Sequence, residues 1–311
     1  YNMLKVLLPR LGITTTFVDP DDPKNFTDAV QENTRLFFAE SLGNPKLDVL
    51  DLKGISREAK AAKVPFMVDS TLATPALQNP IAHGVNIVIH SLTKYANGNG
   101  STMGGAIVDA GNFDWSSGKF PEFTTPSDGY HGLVLHDVLG PAAYIAKVRI
   151  EGLRDLGAAI SPFNAFQIIQ GLETLEIRMK KHSENALALA EWLEAHEDVA
   201  WVNYPGLKSS KYNELAKKYL PEGQSGLLAF GLKGGFDAGK TVADETKLFA
   251  LVANFGDSKS LVIHPASTTH QQLTPEEQAS TGVTSDLIRL SVGLENVEDL
   301  KADLQQAFDK V

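Results

Sequence analysis

The 311 residues include no cysteine, which excludes disulfides, thiolate metal sites and a cysteine nucleophile. A formal net charge of −10 argues against nucleic acid and anionic membrane as partners. At 43% hydrophobic and 21% charged residues, the chain can bury a large core as one large or two ordinary domains, and no apolar run approaches the roughly 20 residues that span a bilayer.

The opening stretch YNMLKVLLPRLGI reads as an amphipathic helix with Met3, Leu4, Leu7, Leu8 and Leu11 on one stripe. Because the pattern is already under way at Tyr1, the chain reads as cut from a longer one, with any targeting signal upstream. Short apolar strands are expected at 13–18 (ITTTFV), 34–41 (TRLFFAES), 64–69 (VPFMVD), 85–90 (VNIVIH) and 104–109 (GGAIVD), with a helix over 51–63. Near-continuous apolar strands alternating with helices predict an α/β fold with a mostly parallel sheet covered by helices on both faces. Ligands of such sheets sit beyond the carboxyl ends of the strands. Residues 110–135 are irregular and rich in Gly, Pro and aromatics. A loop this long is functional or disordered, and the aromatics argue against full disorder. Residues 163–195 read as one long helix bridging into a second, smaller α/β domain. That domain is expected to hold strands near 199–202, 226–232, 260–263 and 287–292 and helices near 238–252 and 296–309. In LTPEE (273–277) Thr274 reads as an N-cap with Pro275 at the first helical position. The expected division is 1–174 and 175–311.

Four stretches carry candidate chemistry. In HSLTKYANGNGSTMGG a single lysine, Lys94, follows an apolar strand and precedes a run of small residues. Desolvation at a strand end disfavours the ammonium and makes the amine a better nucleophile. Ser91 and Thr93 offer hydroxyls on alternate residues, while Gly98, Gly100, Gly104, Gly105, Ser101 and Thr102 leave room for close approach. Taken alone, Lys94 reads as a surface lysine beside a Gly-rich turn; its neighbours are what favour the chemical reading. Asp69 ends the strand VPFMVD, where it either caps the next segment or pairs with a cation. In ESLGNP, Asn44 precedes a proline and is held to extended or turn geometry. Arg289 lies inside the apolar strand of IRLSVGLE and needs a partner, either an internal acid or a bidentate carboxylate ligand.

The order ESxxNP, VDxT, SxTKY, Gly-rich run and RLSVGLE resembles the Cys/Met-metabolism family of pyridoxal-phosphate enzymes, of fold type I, along essentially the whole chain. FPEFTTPSDGYHGL, SPFNAFQIIQGLETLEIRMKKHSENA and NFGDSKSLVIHPASTTH resemble its O-acetylhomoserine sulfhydrylase subgroup, of which the long 110–135 loop is a feature. The resemblance implies pyridoxal 5'-phosphate as cofactor, with 1–174 as its large domain, and Lys94 as the Schiff-base lysine. It implies Asp69 at the pyridinium nitrogen, Ser91 and Thr93 at the phosphate, and Asn44 and Thr71 near the ring oxygen. Arg289, aided by Asn254, would hold the substrate α-carboxylate. Asn99 departs from the histidine that relatives often carry there and is given no role. The implied activity is γ-replacement on O-acetyl-L-homoserine by sulfide or a thiol, in the cytoplasm, by a homo-oligomer (a dimer of dimers) with shared sites. A cystathionine γ-synthase or γ-lyase of the same family is the alternative. The family's Gly-rich phosphate segment, ring-stacking tyrosine and inter-subunit arm would precede Tyr1, so an inactive cofactor-binding or assembly fragment is a further alternative.

Overall fold

The computed structural model describes residues 2–272, 274, 278 and 282–311. Its first sheet has four strands in sequential order: β1 (Phe37–Glu40), β2 (Phe66–Asp69), β3 (Ile87–Ser91) and β4 (Gly105–Asp109). β1, β2 and β3 are parallel and β4 returns antiparallel. The crossover from β1 to β2 is the helix Leu52–Ala62, which buries Leu52, Ile55 and Ala59 on one stripe and ends at Lys63 in the left-handed region. Glu40 stands opposite Asp69, and Asp69 opposite Ile89, so the carboxyl ends of all three parallel strands are level.

The second sheet has the order β5 (Val199–Asn203), β6 (Leu227–Leu232), β9 (Leu287–Ser291), β8 (Leu261–Ile263) and β7 (Ala250–Leu251). All its pairs are antiparallel except β7 with β8. A single hydrophobic cluster runs from Phe37 and Phe66 through Met179 and Leu189 to Phe230, Ile288 and Phe308, so both sheets share a core through the helix Leu175–Glu194.

Several expectations are corrected. Residues 13–18 form no strand. They line a cavity alongside β1 without entering its ladder, and β-branched residues make a strand only where a partner takes their backbone groups. The opening segment is a π-turn over Met3–Leu7 and a 3-10 turn over Leu8–Leu11, closed by left-handed Gly12. Pro9, which has no N–H to continue an α-helical ladder, lies in it, and its apolar stripe is largely exposed. The long helix is two helices, Pro162–Glu173 and Leu175–Glu194, broken at Thr174. There the Gly171 carbonyl accepts the Thr174 N–H (3.4 Å) in a tightened last turn and also Arg178 Nη2 (2.6 Å). The helix expected over 238–252 is Gly235–Glu245, followed by β7. The backbone N–H groups of Lys247, Leu248 and Phe249 donate to the Asp303 carboxylate and hold the chain extended toward the strand. The helix start expected in LTPEE lies, except for Thr274, outside the described residues. The 110–135 loop is ordered by a satellite core of its own, in which Trp115, Phe120 and Phe123 pack on Ile87 and Trp115 stacks on Tyr144.

Candidate active site

The level ends of β1, β2 and β3 bring the first group of side chains together. Asp69 Oδ1 accepts the Thr71 N–H at 2.9 Å, and Thr71 Oγ1 in turn accepts the Ser91 N–H at 2.8 Å. This links the ends of β2 and β3 and fixes the Asp69 carboxylate. The Ser91 hydroxyl has no partner among the described residues. Thr93 Oγ1 donates to the Gly104 carbonyl (3.3 Å) and accepts from the Gly104 N–H (3.2 Å), so it also ties the Lys94 turn to the start of β4.

Lys94 is half-buried, and its Nζ donates to Asn254 Oδ1 at 2.5 Å. Arg289 Nη2 donates to the Asn254 carbonyl and Nη1 to Asn44 Oδ1, each at 3.1 Å. Both cations lie over the Phe255 ring, Lys94 Nζ 4.7 Å and Arg289 Cζ 5.9 Å from its centroid. The π face offsets part of the cost of drawing two like charges out of water. Burial and then the neighbouring Arg289 charge hold the Lys94 ammonium below the ordinary lysine range, while burial brings Arg289 down to about 10. An amine of lowered basicity, and so more readily available as a nucleophile, is the consequence. Arg289 ends on neutral oxygens, and no carboxylate among the described residues pairs with its fork.

Backbone seating makes this meeting of the sheets rigid. Gly256 has φ +80°, and a Cβ there would stand 2.6 Å from Tyr95 N and 3.0 Å from Lys94 C. Its N–H donates to Ser291 Oγ in β9 (3.0 Å), two residues from Arg289. Only glycine lets the 254–256 segment press against Lys94. On the other side, buried Arg178 donates to the Tyr95 carbonyl (2.8 Å), anchoring the turn to the long helix.

Sequence reasoning singled out Lys94, Asp69, Thr71, Ser91, Thr93, Asn44, Asn254 and Arg289. The structure joins Lys94, Asn254, Arg289 and Asn44 in one hydrogen-bonded chain and Asp69, Thr71 and Ser91 in another. It missed Glu40, Phe255 and Gly256, all of which lie inside quoted motifs. Glu40 Oε2 accepts the Asn44 N–H at 2.9 Å. Its carboxyl is pushed up to about 7, first by desolvation and then by Asp69 on the neighbouring strand.

The family model for Cys/Met metabolism PLP-dependent enzymes matches residues 1–309. The chain belongs to that family. It is 52% identical to an O-acetyl-L-homoserine sulfhydrylase of Leptospira meyeri over its whole length, covering 72% of that protein. It is 51% identical to a homocysteine synthase of Schizosaccharomyces pombe, over 99% of the chain and 73% of the relative. Among solved structures, a putative O-acetylhomoserine (thiol)-lyase from Campylobacter jejuni, containing pyridoxyl-lysine monophosphate, superposes with a TM-score of 0.95 at 43% identity. The match covers 99% of this chain and 74% of that one.

Pyridoxal phosphate is the cofactor of this family. The residues present fit it: a primary amine of lowered basicity, an oriented carboxylate one strand away, an unpartnered hydroxyl on Ser91 and a glycine-permitted close approach beside Lys94.

Proposed function

We propose that this protein catalyses γ-replacement on O-acetyl-L-homoserine, in which the Cγ–O bond to acetate breaks and a Cγ–S bond to sulfide or a thiol forms, giving L-homocysteine or the corresponding thioether. The observation that carries the reading is the Lys94–Asn254–Arg289 cluster, where a nucleophilic amine and a guanidinium lacking a carboxylate share one amide and one ring. The names of the two relatives supply the substrate. When bound, pyridoxal phosphate withdraws electrons from the substrate Cα.

The chain's own groups do the rest. Lys94 anchors the cofactor and, when released, takes a proton from Cα and then one from Cβ, so that acetate can leave Cγ, and returns protons to Cβ and Cα once the Cγ–S bond has formed; its lowered basicity suits it to act as the base. Asp69, its carboxylate fixed by the Thr71 N–H, would pair with the ring nitrogen of the bound cofactor and favour its protonated form. Ser91 and Thr93 would hold the phosphate, and Asn44 and Thr71 would lie near the ring oxygen. Arg289 binds the α-carboxylate with its planar fork, steadied by Asn254 and Asn44. That grip sets which substrate bond lies against the cofactor's electron system.

The domain division is proposed at Thr174: 1–174 for cofactor binding and a smaller 175–311 part, supported by the helix break and by the two sheets lying on either side of it. Assembly into a homo-oligomer, a dimer of dimers, is supported by the exposed apolar row Phe163, Phe166, Ile169 and Ile177. Cytoplasmic residence is proposed with it; no helix among the described residues is long and apolar enough to cross a membrane.

The deciding experiment is acetate and homocysteine release from O-acetyl-L-homoserine by purified protein supplied with pyridoxal phosphate, with and without sulfide. Sulfide-dependent release of both in equal amounts is the expected result. 2-Oxobutyrate formation without a thiol would replace the reading by a γ-lyase, and cystathionine formation from cysteine by a cystathionine γ-synthase. A characteristic visible absorbance with no turnover of any donor would leave a cofactor-binding protein without activity.

A further inference from the structure

A second cavity, of about 610 Å³, opens where β2 and β3 begin, at the end of the first sheet opposite the Lys94 site. Arg57, Lys60 and Lys63 line it, three cations in one concavity of a chain whose net charge is −10. The side chains of Lys60 and Lys63 make no hydrogen bond or ion pair among the described residues, and the Arg57 side chain pairs only with its sequence neighbour Glu58, 3.3 Å away. Asp114 is the one acid in the lining, and its Oδ1 already accepts from the Ser116 N–H (2.9 Å) and hydroxyl (2.6 Å).

Two further observations point to a ligand. Ser56 and Ser117 line the cavity, and the hydroxyl oxygen of each is buried with no hydrogen-bond partner among the described residues. Buried polar atoms of native proteins are nearly always satisfied, so two orphans in one cavity mark groups that a guest completes. Asn112 accepts the Asn86 amide through its Oδ1 (2.7 Å), which leaves its own N–H groups as donors. The wall is therefore rich in donors and poor in free acceptors. Half-buried Phe113, held edge-on by Trp115 and Phe120, adds an apolar surface. Basic residues in the last turn of a helix also complement its dipole. That accounts for Lys60 and Lys63 but not for Arg57 a turn earlier, nor for the two orphaned hydroxyls. Asn112, Phe113, Asp114 and Ser117 come from the long loop, to which the catalytic reading gives no task.

We propose that this cavity binds a small phosphorylated metabolite with a flat apolar portion, at a site separate from Lys94. Its volume is in the range of small-molecule pockets. The phosphate would face Arg57, Lys60 and Lys63 and the serine hydroxyls, and the flat portion Phe113.

Adenosine 5'-monophosphate is the probe, titrated calorimetrically into the full chain loaded with pyridoxal phosphate, beside adenosine and inorganic phosphate. The nucleotide is expected to bind more tightly than either fragment, to leave the cofactor's visible absorbance unchanged, and to bind about tenfold or more weakly to the Lys60→Glu/Lys63→Glu variant. Both lysines are exposed and lie outside the catalytic cluster, so that variant should keep wild-type turnover. The proposal is overturned if the nucleotide does not bind at millimolar concentration or binds the variant equally. It is also overturned if adenosine or phosphate alone matches the nucleotide, or if the nucleotide displaces the cofactor.

Discussion

The first sheet meets the active site with the ends of three parallel strands, so Asp69, Thr71, Ser91 and Lys94 lie side by side as a result of register alone. The second sheet contributes differently: Arg289 projects from the middle of β9, and Asn254–Gly256 is a connecting segment pressed against the Lys94 turn. Groups at parallel strand ends need only a level register, and the crossover helix supplies it. A mid-strand arginine has to be drawn into place through neutral partners, Asn44 and the Asn254 carbonyl, across the boundary between the sheets. In the function proposed above, the first sheet is the platform for the cofactor and the second brings selectivity for the amino acid.

The sharpest test of the platform is Lys94→Ala. It should remove the visible cofactor absorbance and lower turnover by at least about 10⁴-fold, since one group supplies both anchoring and proton transfer. Persistent absorbance in steady titration would move the anchor elsewhere. Asp69→Asn should keep the fold and part of the cofactor but lose roughly 10²–10³-fold in kcat, because an amide cannot stabilise a charged ring nitrogen. Near-normal turnover would reduce Asp69 to a cap for Thr71.

Arg289→Lys probes the other sheet. Cofactor absorbance and melting temperature should hold, while KM for O-acetylhomoserine rises and kcat falls, together by roughly 10–100-fold, as the planar fork is lost. A lower melting temperature with unchanged kinetics would turn Arg289 into a structural residue and erase the division of labour.

The last test concerns the seam behind the site and reads stability, not turnover. His182 is fully buried edge-on to Tyr95, with Nδ1 against the Val292 carbonyl (2.7 Å) and Nε2 unpartnered. Burial lowers its pKa from 6.5 to about 4. The unfolded chain therefore binds a proton that the native chain refuses, and stability is lost as pH falls from about 6.5 to about 4, by about 3 kcal/mol for this group. Glu40 acts with the opposite sign: its carboxyl is raised from 4.5 to about 7, so its contribution declines as pH rises through that window. Urea midpoints of wild type and His182→Asn between pH 7 and pH 4.5 separate the two, and the wild type should lose more stability on acidification. Parallel curves would show that His182 takes up its proton without cost.

The platform was legible because it is local in sequence. Each apolar strand ends directly in the residues that carry its chemistry, as in VPFMVDST and VNIVIHSLTK. Arg289 stood out because a charge inside an apolar strand demands a partner. Glu40, Phe255 and Gly256 did not stand out. A glutamate at a strand end is ordinary until Asp69 stands beside it, and a glycine in a loop is ordinary until a Cβ there would strike Tyr95. The errors have the same origin. ITTTFV has strand composition but no ladder to join, and the 163–195 helix breaks at Thr174, where the last turn tightens and the Gly171 carbonyl also serves Arg178.

The sequence by itself determined the alternation of strands and helices, the apolar faces that drive the core, the absence of thiol chemistry and the identity of the amine, the acid and the guanidinium, because these follow from periodicity and residue type. Tertiary structure alone decided which partners those groups have. Placing Asn254 between Lys94 and Arg289, and Phe255 beneath both, depends on contacts 160 and 35 residues apart. No local pattern encodes such separations; they arise only when two sheets bury a common core.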